Sequence, residues 1–123
     1  MNHPNFVLLY VKNPTESAAF YTRLLGAPAV EASPTFAMLA LESGLMLGLW
    51  AASGVAPTAT PPGGGELAVA VEDDAAVEAR LAAWQAAGAQ LLQPPTRMDF
   101  GYTFTVADPD GHRLRVFAPA AGA

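Results

Sequence analysis

The first half of the chain begins with an apolar run and continues with a segment of helical periodicity. Residues 6–11 are apolar and rich in strand formers, which predicts a mostly buried strand that enters a turn before Pro14. A helix is predicted to follow at once, because Asn13 or Thr15 can cap it and its apolar stripe stops at Gly26. This half therefore opens as a strand followed by a helix.

Two further apolar runs complete the first half. Residues 31–34 predict a break, and residues 35–41 and 45–51 predict a hairpin around residues 42–44. Residues 53–65 then contain three prolines and three successive glycines, which cannot continue a helix or an interior strand. We interpret that segment as a linker, so that residues 1–52 form a first module of strand, helix and strands.

The second half, residues 66–123, repeats the same order of elements. Residues 66–71 predict a strand, and Asp73 or Asp74 can cap a helix that ends before Gly88. The apolar face of that helix carries Val77, Leu81 and Trp84. The remaining strand candidates are residues 89–92, 101–107 and 113–117, and Asp108-Pro109-Asp110-Gly111 is a tight turn between the last two.

The internal repeat has a consequence for the fold. Each module would leave one sheet face apolar and uncovered, so two modules must lie side by side, within one chain or between two chains. Such a pair would form a curved mixed sheet around a cleft. Both arrangements stay open, and the 123 residues fit a single domain of this kind.

Composition and charge narrow the function classes. The formal net charge is −5 and no basic stripe is present, so nucleic acid is not an expected partner. The absence of cysteine excludes disulfides and thiolate chemistry. The N-terminus has no basic segment followed by an apolar signal core, and no apolar run reaches membrane-spanning length. We therefore expect a cytoplasmic protein with no membrane partner.

Two motifs stand out once the order of elements is known. They are Val11…Pro14…Ser17-Ala18-Ala19-Phe20-Tyr21…Leu24-Leu25-Gly26 and Asp108-Pro109-Asp110-Gly111-His112. Together with the order of elements, they resemble the vicinal oxygen chelate superfamily of glyoxalases, bleomycin resistance proteins and extradiol dioxygenases. The resemblance spans nearly the whole chain and implies an α+β fold of two βαβββ modules, with a homodimer as the expected assembly.

The resemblance also marks three positions where enzymes of the superfamily hold a divalent metal. The first is Phe6, which cannot ligate a metal, and the second is Glu66, which can. The third is Arg115, whose guanidinium has no lone pair to offer and brings a positive charge. Catalytic metal sites need about three protein ligands. We therefore expect no metal, no cofactor and no catalytic residue.

Glu66 and Arg115 admit two interpretations. The resemblance aims both side chains at the concave face, where the arginine would replace the charge of the metal by pairing with the glutamate. Removal of one partner from a buried pair costs about 3–5 kcal/mol. The alternative is an exposed pair at the strand ends, which stabilises little.

Aromatic residues define a candidate binding surface. Period-two alternation puts Met46, Gly48 and Trp50 on one face, where Gly48 is expected to open space beside the indole. Phe6 and Tyr10 would add apolar aromatic surface, so that a planar ligand could stack there. Trp50 could instead pack in the core or in a dimer interface.

Tyr102 and Phe104 share one face of a later strand. Tyr102 is interpreted as a second wall of the cleft, whereas Phe104 is interpreted as core. His3 and His112 are the only histidines, and both are interpreted as residues without a catalytic function, because one lies near the terminus and the other in the turn.

The predicted function is metal-independent binding or sequestration of an apolar, planar aromatic small molecule, as in the drug-binding resistance members of the superfamily. The alternative is a metal-dependent lyase, isomerase or dioxygenase with a reduced ligand set, in which Glu66 would be joined by a ligand not identified from the sequence or by His3 of a second chain. A third possibility is a structural or regulatory module whose cleft Trp50 and Met46 fill. Metal analysis and titration with planar aromatic compounds distinguish the three.

Overall fold

A computed structural model describes residues 3–120, which divide into two compact units. Unit 1 ends at Pro62 and unit 2 begins at Gly63, a division that falls inside the segment interpreted as a linker. Each unit contains a strand, a helix and three further strands, and hydrogen bonds join its strands into a four-stranded mixed sheet. The predicted α+β class and the two βαβββ modules are therefore confirmed, with one separate sheet per unit.

The elements of unit 1 are β1 (Phe6–Val11), α1 (Pro14–Leu25), β2 (Ala29–Ala32), β3 (Phe36–Ala40) and β4 (Met46–Ala51). Its sheet has the order β1-β4-β3-β2, in which β1 runs parallel to β4 and the other neighbours are antiparallel. A short 3₁₀ helix, Ala52–Gly54, follows β4 and overlaps the start of the segment interpreted as a linker.

The first helix forms where the sequence predicts it. The Asn13 side chain accepts a hydrogen bond from the Glu16 amide at 3.1 Å, and Gly26 closes the helix in the left-handed conformation. The buried residues of α1 include Phe20, Tyr21 and Leu24, which share the core with the buried residues of β3 and β4. The helix therefore covers one face of the unit 1 sheet.

The sequence interpretation of residues 31–34 as a break was wrong in part. Glu31 and Ala32 belong to β2, and the chain turns only at Ser33. The hydroxyl of Ser33 accepts the Phe36 amide at 3.2 Å and so holds the turn into β3. All four residues of β2 are exposed, which explains why no apolar pattern marks this edge strand.

The elements of unit 2 are β5 (Glu66–Ala70), α2 (Asp74–Ala86), β6 (Gln90–Met98), β7 (Gly101–Ala107) and β8 (Arg113–Pro119). Its sheet has the corresponding order β5-β8-β7-β6, with β5 parallel to β8. Asp73 caps α2 by accepting the Ala76 amide at 2.8 Å. Trp84 packs edge-on against Phe104 with 5.7 Å between ring centroids, so α2 covers one face of this sheet as well.

The strand β6 is longer than predicted. The sequence interpretation ended it at Leu92, but it continues through Pro94 and Pro95 to Met98. Proline is tolerated there because β6 lies at the edge of the sheet, where an amide donor is not needed on the open side. The pairing of β6 with β7 is irregular on either side of Gln93, so the prolines lie where regular backbone hydrogen bonding is interrupted.

The predicted tight turn between β7 and β8 is present. Asp108 is 4 % exposed, and its carboxylate accepts hydrogen bonds from the amides of Asp110 and His112 at 2.8 and 2.9 Å. The turn motif that begins at Asp108 therefore stabilises the local backbone of the fold. Neither helix within residues 3–120 has the length and apolar character needed to cross a membrane.

Candidate functional site

An exposed apolar surface lies on the face of the unit 1 sheet that α1 does not cover. Strand alternation separates it from the buried residues Leu47 and Leu49, which are inaccessible to solvent. The register of β1, β3 and β4 then brings its members together. We call this surface the unit 1 apolar face; it consists of Phe6, Leu8, Tyr10, Phe36, Met38, Met46, Gly48 and Trp50.

Five residues predicted from the sequence therefore share one surface. Phe6 stands opposite Met46, and Tyr10 stands opposite Trp50, on the parallel strands β1 and β4. The Tyr10 and Trp50 rings meet edge to face, with 6.4 Å between centroids and 76° between planes. Gly48 occupies the middle of the same strand face. The sequence missed Leu8, Phe36 and Met38, although period-two alternation along β1 and β3 could have found them.

The expectation that Gly48 opens space beside Trp50 was wrong. A β-carbon at Gly48 would lie 2.5 Å from the Leu8 Cδ2 atom and 3.0 Å from the Phe36 ring. The missing side chain is therefore replaced by these two neighbours, which meet over the glycine. Gly48 therefore makes room for Leu8 and Phe36 and leaves no open space on the unit 1 apolar face at this position.

A polar cluster occupies the corresponding open face of unit 2. Arg115 donates from Nε to the Glu66 carboxylate at 2.6 Å and from its second terminal nitrogen to the other oxygen at 3.4 Å. Its remaining terminal nitrogen donates to the Gln93 side-chain oxygen at 3.0 Å and to the Thr103 hydroxyl at 3.2 Å. Thr105 also donates to Gln93, at 3.1 Å. Side chains from three strands, β5, β6 and β7, thus fix the guanidinium that β8 carries.

Aromatic rings border this cluster. The Arg115 guanidinium carbon lies 5.7 Å from the centroid of the Phe100 ring, within cation–π range. Phe100 is 41 % exposed and packs edge-on against Phe117, with 5.8 Å between centroids. The open face of unit 2 therefore combines a charged centre with an accessible aromatic ring.

Tyr102 does not lie beside Arg115. It shares the face of Phe104, as predicted, but that face packs on Trp84 of α2, whereas Thr103 and Thr105 point to the polar cluster. The Tyr102 ring instead lies under the guanidinium of Arg97, whose central carbon is 4.9 Å from the ring centroid. The hydrogen bond from Arg97 to Asp74 raises the pKa of that guanidinium above its ordinary value. Tyr102 is therefore separated from the cluster by the thickness of the sheet.

The residues at the three positions marked by the family resemblance do not fit a divalent metal. Both oxygens of Glu66 already accept hydrogen bonds from Arg115, and Phe6 has no donor atom. Within residues 3–120, no three His, Asp or Glu side chains converge as a ligand group. His3 is exposed, and the amide of His112 serves the Asp108 turn.

Replacement of Glu66 by alanine should lower the free energy of unfolding by about 1 kcal/mol, as for a partly exposed ion pair. The Arg115 and Glu66 side chains are 18 % and 31 % exposed, so the arginine left behind keeps water as well as Gln93 and Thr103. Urea unfolding followed by circular dichroism measures the change. Glu42→Ala, in an exposed turn, is the control and should be neutral. A cost of about 3–5 kcal/mol would instead indicate a fully buried pair.

Comparison with known proteins identifies the class. The model of the Glyoxalase/Bleomycin resistance protein/Dioxygenase superfamily matches residues 3–116, and the chain therefore belongs to this superfamily.

Three relatives show how far the similarity extends. The solution structure of protein ATC0852 from Agrobacterium tumefaciens is 54 % identical, with a TM-score of 0.89 over 98 % of this chain and 100 % of that one. A glyoxalase-related enzyme from Fulvimarina pelagi is 28 % identical, with a TM-score of 0.83 over 96 % of this chain and 88 % of the other. The phenazine antibiotic resistance protein EhpR of Enterobacter agglomerans is 27 % identical over 116 residues, covering 92 % of this chain and 89 % of that protein.

Proposed function

We propose that this protein captures a planar aromatic small molecule on the unit 1 apolar face, without a metal ion and without breaking a bond. The observation that carries the proposal is the continuous apolar surface of β1, β3 and β4, on which Phe6 and Leu8 remain 49 % and 47 % exposed. Contiguous exposed apolar surface usually marks a binding site. The aromatic rings of this face, Trp50 and Tyr10 among them, favour a planar aromatic ligand that can stack on one of them.

The relative EhpR supports the choice of ligand class. It is described as a phenazine antibiotic resistance protein, and phenazine is a planar fused-ring aromatic. The mode of action is stoichiometric: Trp50 and Tyr10 offer stacking surface, and Met38 and Met46 offer adaptable, polarisable contacts. No group on this face has a proton or a nucleophile suited to acid–base or covalent chemistry apart from the Tyr10 hydroxyl.

Independence from metal is the second part of the proposal. Arg115 holds a fixed positive charge at a position where the superfamily's enzymes have a ligand for a cation, and Glu66 is already committed to it. A metal would have to break this pair before it could use the glutamate. The alternative, a metal-dependent lyase, isomerase or dioxygenase, requires ligands other than those found among residues 3–120.

Calorimetric titration with phenazine should show saturable binding of one molecule per chain. Dialysis against EDTA should leave both the affinity and the stoichiometry unchanged, because no contact is routed through a metal. Metal analysis of the untreated protein is done in parallel. Absence of binding across a panel of planar aromatics would refute capture. Stoichiometric zinc, nickel, manganese or iron that EDTA removes together with binding would favour the enzyme alternative.

A further inference from the structure

A small pocket beside the polar cluster of unit 2 contains a cation that the cluster does not use. The pocket has a volume of about 230 Å³ and is lined by Leu92, Gln93, Thr105, Arg113 and Arg115. The chain has only six lysines and arginines and a formal net charge of −5. Two of those six therefore meet at one pocket of an acidic protein.

The charges around this pocket do not cancel. Arg115 is matched by Glu66, which receives two of its hydrogen bonds. Arg113 is exposed, stands opposite Glu66 in the β5–β8 register, and makes no ion pair within residues 3–120. The other lining residues are uncharged. The pocket thus has one positive charge in excess.

The volume and the net positive charge of the pocket limit the kind of ligand that it can bind. Sites for drug-sized molecules are usually about 300–1,000 Å³, so this pocket fits a smaller acid. A guanidinium matches the two oxygens of a carboxylate. The Thr105 hydroxyl already donates to Gln93, so the exposed guanidinium of Arg113 is the donor that the pocket offers to a carboxylate. A phosphate dianion fits less well, because its second negative charge would exceed the single positive charge that remains after Glu66 pairs with Arg115.

We propose that this pocket is a binding site for a small organic monocarboxylate, with Arg113 as the residue that binds the carboxylate. The ligand class goes beyond the aromatic capture proposed above, and the site lies entirely within unit 2. Arg115 lines the pocket but does not bind the ligand carboxylate, because its guanidinium already donates hydrogen bonds to Glu66, Gln93 and Thr103. Leu92 gives the pocket an apolar side that suits the carbon skeleton of the acid.

The test is a two-dimensional amide NMR titration of the whole protein with sodium benzoate and with its uncharged analogue benzamide. Benzoate should shift the amides of Arg113, Thr105 and Leu92 saturably and bind about tenfold more tightly than benzamide, as expected for one charged hydrogen-bonded contact. Arg113→Gln should abolish that tenfold preference, and Arg113→Lys should keep part of it. Arg80→Gln, which makes the same charge change on α2, should leave it intact.

Each other result overturns the proposal. Equal binding of benzoate and benzamide would show that charge is not recognised, and unchanged benzoate binding by Arg113→Gln would exclude this arginine. No saturable shift would mean that the pocket is not a site, and tighter binding of inorganic phosphate would replace the carboxylate class. Phenazine binding is measured separately, so benzoate recognition can hold where aromatic capture fails, and the reverse.

Discussion

Replacement of Trp50 by alanine is expected to weaken phenazine binding about 30-fold or more, which corresponds to about 2 kcal/mol. The indole is the largest ring on the unit 1 apolar face and meets Tyr10 edge to face, so its loss removes both stacking area and the support of its neighbour. Because Trp50 is only half-buried, the sheet should remain folded without it.

Two matched variants isolate the effect of the ring. Trp50→Phe keeps a flat aromatic surface and should lose much less affinity than Trp50→Ala. Val30→Ala removes an apolar side chain that is 56 % exposed on β2, away from the register of β1 and β4, and should bind as the unchanged protein does. Calorimetry gives the three affinities. If Trp50→Ala bound phenazine normally, the ligand would have to lie elsewhere.

The sequence predicted those parts of the fold that depend on local chemistry. Asn13 and Asp73 cap their helices, and the Asp108 turn closes on its own carboxylate, because each of these devices needs only residues a few positions apart. The apolar runs that became β1, β4 and β7 were recognisable for the same reason. Each of them is a short run rich in apolar strand formers, although burial does not alternate along β7, where every residue except Tyr102 is buried.

The edge strands were harder to predict, because an edge relaxes the sequence requirements. β2 is exposed along its whole length and therefore has no apolar pattern. β6 contains two adjacent prolines, which would be excluded from a central strand but are tolerated on an open edge. In both cases the position in the sheet, which the sequence does not state, decided what the strand could contain.

The candidate site shows a related limit. Alternation correctly grouped Met46, Gly48 and Trp50, but it could not show that Leu8 and Phe36, from two other strands, would fill the space over the glycine. It also grouped Tyr102 with Phe104 without showing which face α2 would cover. The sequence of one strand predicts which of its residues share a face of the sheet. To predict which residues of other strands they contact, one must also know how the strands are paired.

The pair of Glu66 and Arg115 was predicted from the family resemblance, but its partners were not. Gln93 reaches Arg115 from β6, next to the irregular register that the prolines impose, and Thr103 reaches it from β7. These four residues come from four strands and are up to 49 positions apart in sequence. No local pattern connects them.

The second large effect is expected from Gly101→Ala, which should lower the free energy of unfolding by about 3 kcal/mol or more. Gly101 has φ +145°, a region that other residues rarely adopt, and strain of this kind costs about 1–3 kcal/mol. A β-carbon there would also collide with the Ala118 carbonyl oxygen, and crowding of this kind costs about a further 1–3 kcal/mol. The hydrogen bond from the Ala120 amide to the Phe100 carbonyl, at 2.8 Å, leaves the backbone little room to move away.

Gly111→Ala separates the two causes. Gly111 also has a positive φ, +94°, but a β-carbon there would meet no atom within 4 Å, so this variant carries the strain without the collision. Urea unfolding of both variants gives the difference, which we expect to be about 1–3 kcal/mol in favour of Gly111→Ala. Because Gly101 directly follows Phe100, the ring beside Arg115 should also lose its position, and NMR shifts of Phe100 and Phe117 would report it. Equal stabilities would show that the chain accommodates the new methyl group and that conformation alone requires the glycine.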